Sequence, residues 1–105
     1  MSAAPGYPEP VRSGIDQDPV VRGLRARITE ADRAILAAAN ERLELVRELK
    51  AHKRANGWDF VDPEREAELL DSLAAENPGP LSDPGVRRLF GDVLDLTKRE
   101  LADDA

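Results

Sequence analysis

The chain has 105 residues, 41% hydrophobic and 34% charged, the size and balance of one small soluble domain. With no cysteine and one histidine, it has almost no material for a structural zinc site, a thiol nucleophile, a disulfide scaffold or a serine-histidine-aspartate triad. Fifteen Lys+Arg against 21 Asp+Glu give a formal charge of -6, the wrong sign for a protein that neutralises nucleic-acid phosphates. No transmembrane span or secretory signal is visible, so we expect a cytoplasmic protein whose partners include neither nucleic acid nor membrane.

Aromatic residues make up only 4% of the chain, and Ala, Leu, Glu and Arg dominate, which favours helices over a sheet. Residues 1–18 carry Pro5, Pro8 and Pro10 with Gly6 and Gly14 and no sustained apolar period, and read as a disordered N-terminal extension. Residues 19–105 read as the folded helical domain. From Pro19 to about Asn56 there is no further proline, and Leu24, Ile28, Ala31, Ile35 and Ala38 recur in steps of four and three, with Leu45 and Leu49 continuing the stripe after a step of seven. That is one long amphipathic helix, with Pro19 in its first turn and Asn56-Gly57 as its stop. A short loop, Trp58 to Val61, leads to Asp62-Pro63, an N-cap with proline at the first helical position. The second helix runs through Ala67, Leu69, Leu70, Leu73 and Ala74 and ends near Glu76, before the rigid turn Asn77-Pro78-Gly79-Pro80. Ser82-Asp83-Pro84 opens a third helix whose face is Val86, Leu89, Phe90, Val93, Leu94, Thr97 and Leu101. The fold class is therefore all-α, a three-helix protomer with one long first helix.

About 37 residues at 1.5 Å rise span about 55 Å. A compact monomer of this length is only about 33 Å across, from a radius of gyration of about 13 Å. The first helix then overhangs its own subunit, and its apolar stripe needs a partner. We expect an intertwined homodimer in which a second copy lies alongside.

Polar residues interrupt this pattern at informative places. The seven-residue series Ile28, Ile35, Arg42, Leu49 sets a guanidinium in line with core positions, where it requires a counter-anion, either a glutamate of the protein or a bound ligand. Lys53 lies eleven residues further on, about 20° around the axis, so Arg42 and Lys53 share a face and two cations converge. Arg25 is about 100° away and would reach such a site only from a partner chain. Thr97 places a hydroxyl between Val93 and Leu101, where it either bonds back to its own helix or serves a site. His52 falls on the solvated side, and Lys98-Arg99-Glu100 with Asp103-Asp104 reads as a solvated C-terminal face.

Leu24-Arg25-Ala26-Arg27-Ile28, Asp32, Glu41-Arg42-Leu43, Lys53, Asp62-Pro63-Glu64-Arg65-Glu66 and Leu89-Phe90 together resemble the all-helical (AroQ-type) chorismate mutase family, over roughly Val20 to Leu101. The specificity lies in the set, which falls at family-like spacing without a gap. The resemblance implies a three-helix protomer in an entwined dimer whose two sites are each lined by both chains. It implies conversion of chorismate to prephenate for phenylalanine and tyrosine synthesis, a rearrangement within one molecule that uses no cofactor and no metal. The protein's part is to hold the dicarboxylate in its reactive conformer and to stabilise charge on the breaking ether oxygen.

Carried over by position, Arg42 and the partner chain's copy of Arg25 bind the carboxylates, and Lys53 reaches the ether oxygen. Arg65 holds the enolpyruvyl end, Glu66 and the Asp62 backbone take the ring hydroxyl, and Thr97 assists carboxylate binding. Arg42, Lys53 and Glu66 form the expected catalytic set. One departure stands out: Leu101 occupies the position where many members carry a Gln or Glu that contacts the ether oxygen. That leaves open low intrinsic activity, dependence on an activating partner enzyme, or a related substrate, as in isochorismate-pyruvate lyases and aminodeoxychorismate mutases. A non-catalytic helical dimer that regulates a shikimate-pathway enzyme is the reading from a different class.

Overall fold

The structure, a computed structural model, describes residues 14–103. Most of the expected N-terminal extension, residues 1–13, lies outside the described residues. The remainder departs from the expectation, because 14–17 form a helical turn. Three helices follow: α1, Pro19–Ala55; α2, Pro63–Glu76; and α3, Asp83–Glu100. The described residues hold no strand, and no helix among them is long and apolar enough to cross a membrane.

The chain divides into two compact units, Met1–Asn40 and Glu41–Ala105, and α1 begins in the first and ends in the second. In the first unit, Asp18 is the true start signal of α1. Its Oδ1 accepts from the backbone N–H groups of Val20 and Val21 at 2.9 and 3.0 Å, and its carbonyl accepts from Arg22 N at 3.0 Å. An aspartate thus satisfies two of the four orphan donors at the helix start, while Pro19 has no N–H to satisfy. The stripe that defines this helix in the sequence is not covered: Leu24 is 50% exposed, Ile28 59% and Ile35 66%. No residue of α1 is buried.

The second unit carries the interior. The last turn of α1 closes with Gly57 at φ 71°, a left-handed conformation open to glycine without a Cβ clash. Trp58 N donates to the Lys53 carbonyl at 2.8 Å and Gly57 N to the Arg54 carbonyl at 3.0 Å, the paired bonds of a Schellman cap. Asp62 caps α2, its Oδ1 accepting from Arg65 N at 3.1 Å, with Pro63 at the first helical position. Ser82 caps α3 in the same way, its Oγ accepting from Gly85 N at 3.0 Å. Between them Asn77 braces the turn, donating from Nδ2 to the Leu81 carbonyl at 2.7 Å and accepting from Gly79 N at 3.1 Å.

α2 and α3 pack against one another. Arg87 of α3 spans the pair, 2.8 Å from Asp71 of α2 and 3.3 Å from Asp83. These hydrogen bonds, that to Asp71 first, hold the Arg87 guanidinium above its ordinary value. The enclosed residues are few: Val86, Thr97 and Leu101, the last with no exposed surface. Leu101 is the C-cap of α3, and Lys50 of α1 donates from Nζ to its carbonyl.

Full burial makes Leu101 the stability anchor of this unit. Leu101→Ala is expected to lower the unfolding free energy by about 3 kcal/mol through lost apolar contact and a residual cavity. Leu101→Gln also destabilises, by about 1–3 kcal/mol, because it encloses an amide at an apolar position. Urea unfolding of the three proteins measures both.

Candidate active site

The chemistry-bearing residues of the second unit meet at a cleft of about 330 Å³. α1 lines it with Arg42, Val46, Leu49 and Lys53, whose steps of four, three and four keep them on one face. The loop adds Phe60 and Val61, the start of α2 adds Asp62, Arg65, Glu66 and Leu69, and α3 adds Leu94, Thr97 and Lys98. Apolar side chains, the Phe60 ring among them, form the walls. Into them project four cations against two carboxylates, a positive surplus inside a chain of formal charge -6.

The geometry explains how Arg42 and Lys53 are held without being neutralised. Arg42 Nη1 donates to Thr97 Oγ1 at 2.8 Å, and Thr97 Oγ1 donates onward to the Val93 carbonyl at 2.7 Å. A hydroxyl has one proton and two lone pairs, so once its proton goes to Val93 it faces Arg42 as an acceptor. Thr97 thus bonds back to its own helix and at the same time orients the Arg42 guanidinium. Of the two counter-anions open to Arg42, the described residues supply no glutamate; the neutral hydroxyl leaves the guanidinium charge available. Lys53 Nζ donates to the Phe60 carbonyl at 3.1 Å. An ammonium has three donors, so two remain for a ligand. Lys50 lies with its Nζ 5.4 Å from the centre of the Phe60 ring, within cation–π range.

Arg65 and Asp62 stand at the start of α2, where Asp62 is occupied as the cap. Glu66, next after Arg65, has its Oε1 2.9 Å from Lys98 Nζ. Lys98 corrects the sequence reading, which set it on a solvated face with Arg99 and Glu100. It lines the cleft and pairs across to α2. The available signal was the spacing Leu94, Thr97, Lys98, which is i, i+3, i+4 and so one face. Leu101, the residue at the position where many family members carry a donor, is enclosed as its apolar spacing predicts, and it does not line the cleft.

Of the seven expected site residues, Arg42, Lys53, Asp62, Arg65, Glu66 and Thr97 surround this cleft. Arg25 does not. It belongs to the first unit and pairs with Asp16, its Nη1 2.6 Å from Oδ1, with each side chain about half exposed. Among the described residues no three acidic or imidazole groups converge on a metal-sized site. The arrangement is suited to fixing a small multiply anionic molecule by charge and shape.

The model of chorismate mutase type II matches residues 24–101. A bifunctional chorismate mutase/prephenate dehydratase from Stutzerimonas stutzeri is 34% identical over 80 residues, 70% of this chain. The chain spans 22% of that relative's length. Two solved structures of chorismate mutase from Thermus thermophilus share the fold. Form II superposes with a TM-score of 0.76 at 33% identity, covering 80% of this chain and 96% of the other. Form I gives 0.72 at 36% identity, covering 73% and 96%. With the family model matching residues 24–101 and the same helical frame in these solved structures, the chain belongs to the chorismate mutase type II family.

Proposed function

We propose that this protein is a chorismate mutase that rearranges chorismate to prephenate in aromatic amino acid biosynthesis, and that it works as a homodimer with each site completed by the partner chain. The observation that carries the reading is the cation surplus of the cleft, with Arg42 oriented by a neutral hydroxyl and Lys53 left with unused donors. The substrate carries two carboxylates, and the reaction breaks an ether carbon–oxygen bond as a carbon–carbon bond forms within the same molecule. No proton has to move and no covalent adduct with the protein is required.

The protein's contribution is then positional and electrostatic. Arg42 presents a planar fork to one carboxylate, a geometry suited to bidentate pairing. Lys53 presents an ammonium toward the ether oxygen, where negative charge grows in the transition state, so its interaction strengthens as the bond breaks. Arg65 engages the enolpyruvyl carboxylate, and Glu66 with the Asp62 main chain accepts from the ring hydroxyl. Thr97 serves carboxylate binding by setting the Arg42 plane. Leu49, Leu69, Leu94 and Phe60 close the walls, and a low-dielectric surround strengthens each of these charges.

The dimer reading rests on α1. Its stripe from Leu24 to Ile35 is half or more exposed along a stretch where no residue is buried, an apolar face suited to a second copy of the same helix. In that pairing Arg25 exchanges Asp16 for the substrate of the neighbouring site.

Incubation with chorismate, following substrate loss and product identity, tests the activity. Wild type is expected to form prephenate, and Arg42→Ala to lose at least about 100-fold in kcat/KM, as for removal of one preorganised donor. Lys53→Ala should reduce kcat far more than it raises KM, since its partner develops charge during the reaction. An equal loss for substrate and transition-state analogue would remove Lys53 from that role.

Thr97→Val is expected to lower kcat/KM about fivefold to tenfold by releasing Arg42, and Thr97→Ser to restore it, with thermal unfolding as the control for stability. Mixing Arg25→Ala and Arg42→Ala subunits should rebuild one intact site in each mixed dimer, about a quarter of wild-type activity for random assortment. Mixed dimers that form and stay inactive would exclude the cross-chain role of Arg25.

A further inference from the structure

Glu66 presents a problem for the site as described. A carboxylate beside a cleft that must admit a dianion repels its own ligand unless a cation offsets it, and it serves as an acceptor only if its orientation is fixed. The solution in this chain is Lys98. Its Nζ reaches across from α3 to Glu66 Oε1 at 2.9 Å, with the two side chains 38% and 26% exposed. Glu66 makes no other side-chain hydrogen bond among the described residues, so Oε2 keeps its lone pairs. Lys98 sits immediately after Thr97, so consecutive residues of α3 hold Arg42 on one side of the cleft and Glu66 on the other.

We propose that Lys98 is a positioning and specificity-determining residue: by clamping Oε1 of Glu66 it presents Oε2 to the ring hydroxyl and so sets the preference for a hydroxylated ring. This rests on the chorismate reading given above. The clamp acts on a group that is hydrogen-bonded alike before and during the rearrangement, since the hydroxyl takes no part in the bonds that break and form. Its contribution is therefore uniform binding, which appears in KM and leaves kcat nearly unchanged. A second consequence is electrostatic. Lys98 cancels the charge of Glu66, so the remaining cations meet the substrate carboxylates without opposition from that wall.

The experiment compares wild type, Lys98→Met, Lys98→Arg and Glu66→Gln with two ligands, chorismate and its analogue with hydrogen in place of the ring hydroxyl. Lys98→Met is expected to raise KM for chorismate about tenfold, the loss of one oriented charge-assisted hydrogen bond, with kcat changed less than about twofold. It should leave the inhibition constant of the deoxy analogue within about threefold of wild type. Lys98→Arg should restore the KM. In the Glu66→Gln background, Lys98→Met should add little, as expected for residues acting as one unit.

Equal weakening of both ligands would overturn the proposal in favour of direct contact between Lys98 and a substrate carboxylate. A lower melting temperature with unchanged discrimination between the ligands would reduce the pair to a tie between α2 and α3, and would also overturn it. Failure of wild type to convert chorismate would instead overturn the functional reading, and this inference with it.

Discussion

A guanidinium set into an apolar helix stripe must find an acceptor, and in this chain the acceptor is a hydroxyl. The bond from Arg42 to Thr97 joins α1 to α3 and decides the character of the whole cleft. A carboxylate in place of Thr97 would hold Arg42 more tightly and cancel its charge, leaving a structural ion pair. The hydroxyl, its own proton taken by Val93, orients the guanidinium and leaves the charge unspent. The same economy recurs at Lys53, which is tethered by a main-chain carbonyl. Within the cleft a carboxylate tether appears at Lys98, where the anion it holds has a role of its own in the proposed mechanism.

The helical frame was legible because its signals are local. The period of α1, the Asp62 and Ser82 caps followed by prolines, and the Asn56-Gly57 stop each act over a few residues, and all stand where the pattern sets them. At the start of α1 the sequence marks Pro19 as a first-turn residue, while Asp18, the group that satisfies the exposed N–H donors, falls in the stretch that reads as the extension. The cleft was legible where two residues share one helix, as Arg42 and Lys53 do. It was obscured where a charge run concealed a phase. In Lys98-Arg99-Glu100 successive residues turn by about 100°, so one of the three faces the cleft while its neighbours face water. Leu101 was legible as part of the apolar face of α3: as its C-cap it still donates to the Thr97 carbonyl at 3.0 Å, and it is fully enclosed.

Few of the described residues are enclosed: Val86, Thr97 and Leu101, with none from α1. An isolated helical stretch depends on propensity and capping, both worth little against the entropy of ordering it. The long apolar stripe of α1 is thus the part of the molecule with most still to gain from association. On the proposed reading, assembly and activity are coupled, because Arg25 lies within that same stretch.

The cap at the end of α1 has a kinetic meaning. Lys53 is fastened at both ends, its carbonyl by Trp58 N within the Schellman turn and its ammonium by the Phe60 carbonyl two residues beyond. The turn and the catalytic candidate therefore open together: a fluctuation that frays the last turn of α1 releases Lys53 from both tethers in a single event. Helix ends open at far lower free energy than a domain unfolds. On gentle warming the turn should lose amide-exchange protection and Lys53 its fixed position while Leu101 and Val86 remain enclosed. Heat inactivation would then begin as a local event at Gly57, upstream of any loss of the fold.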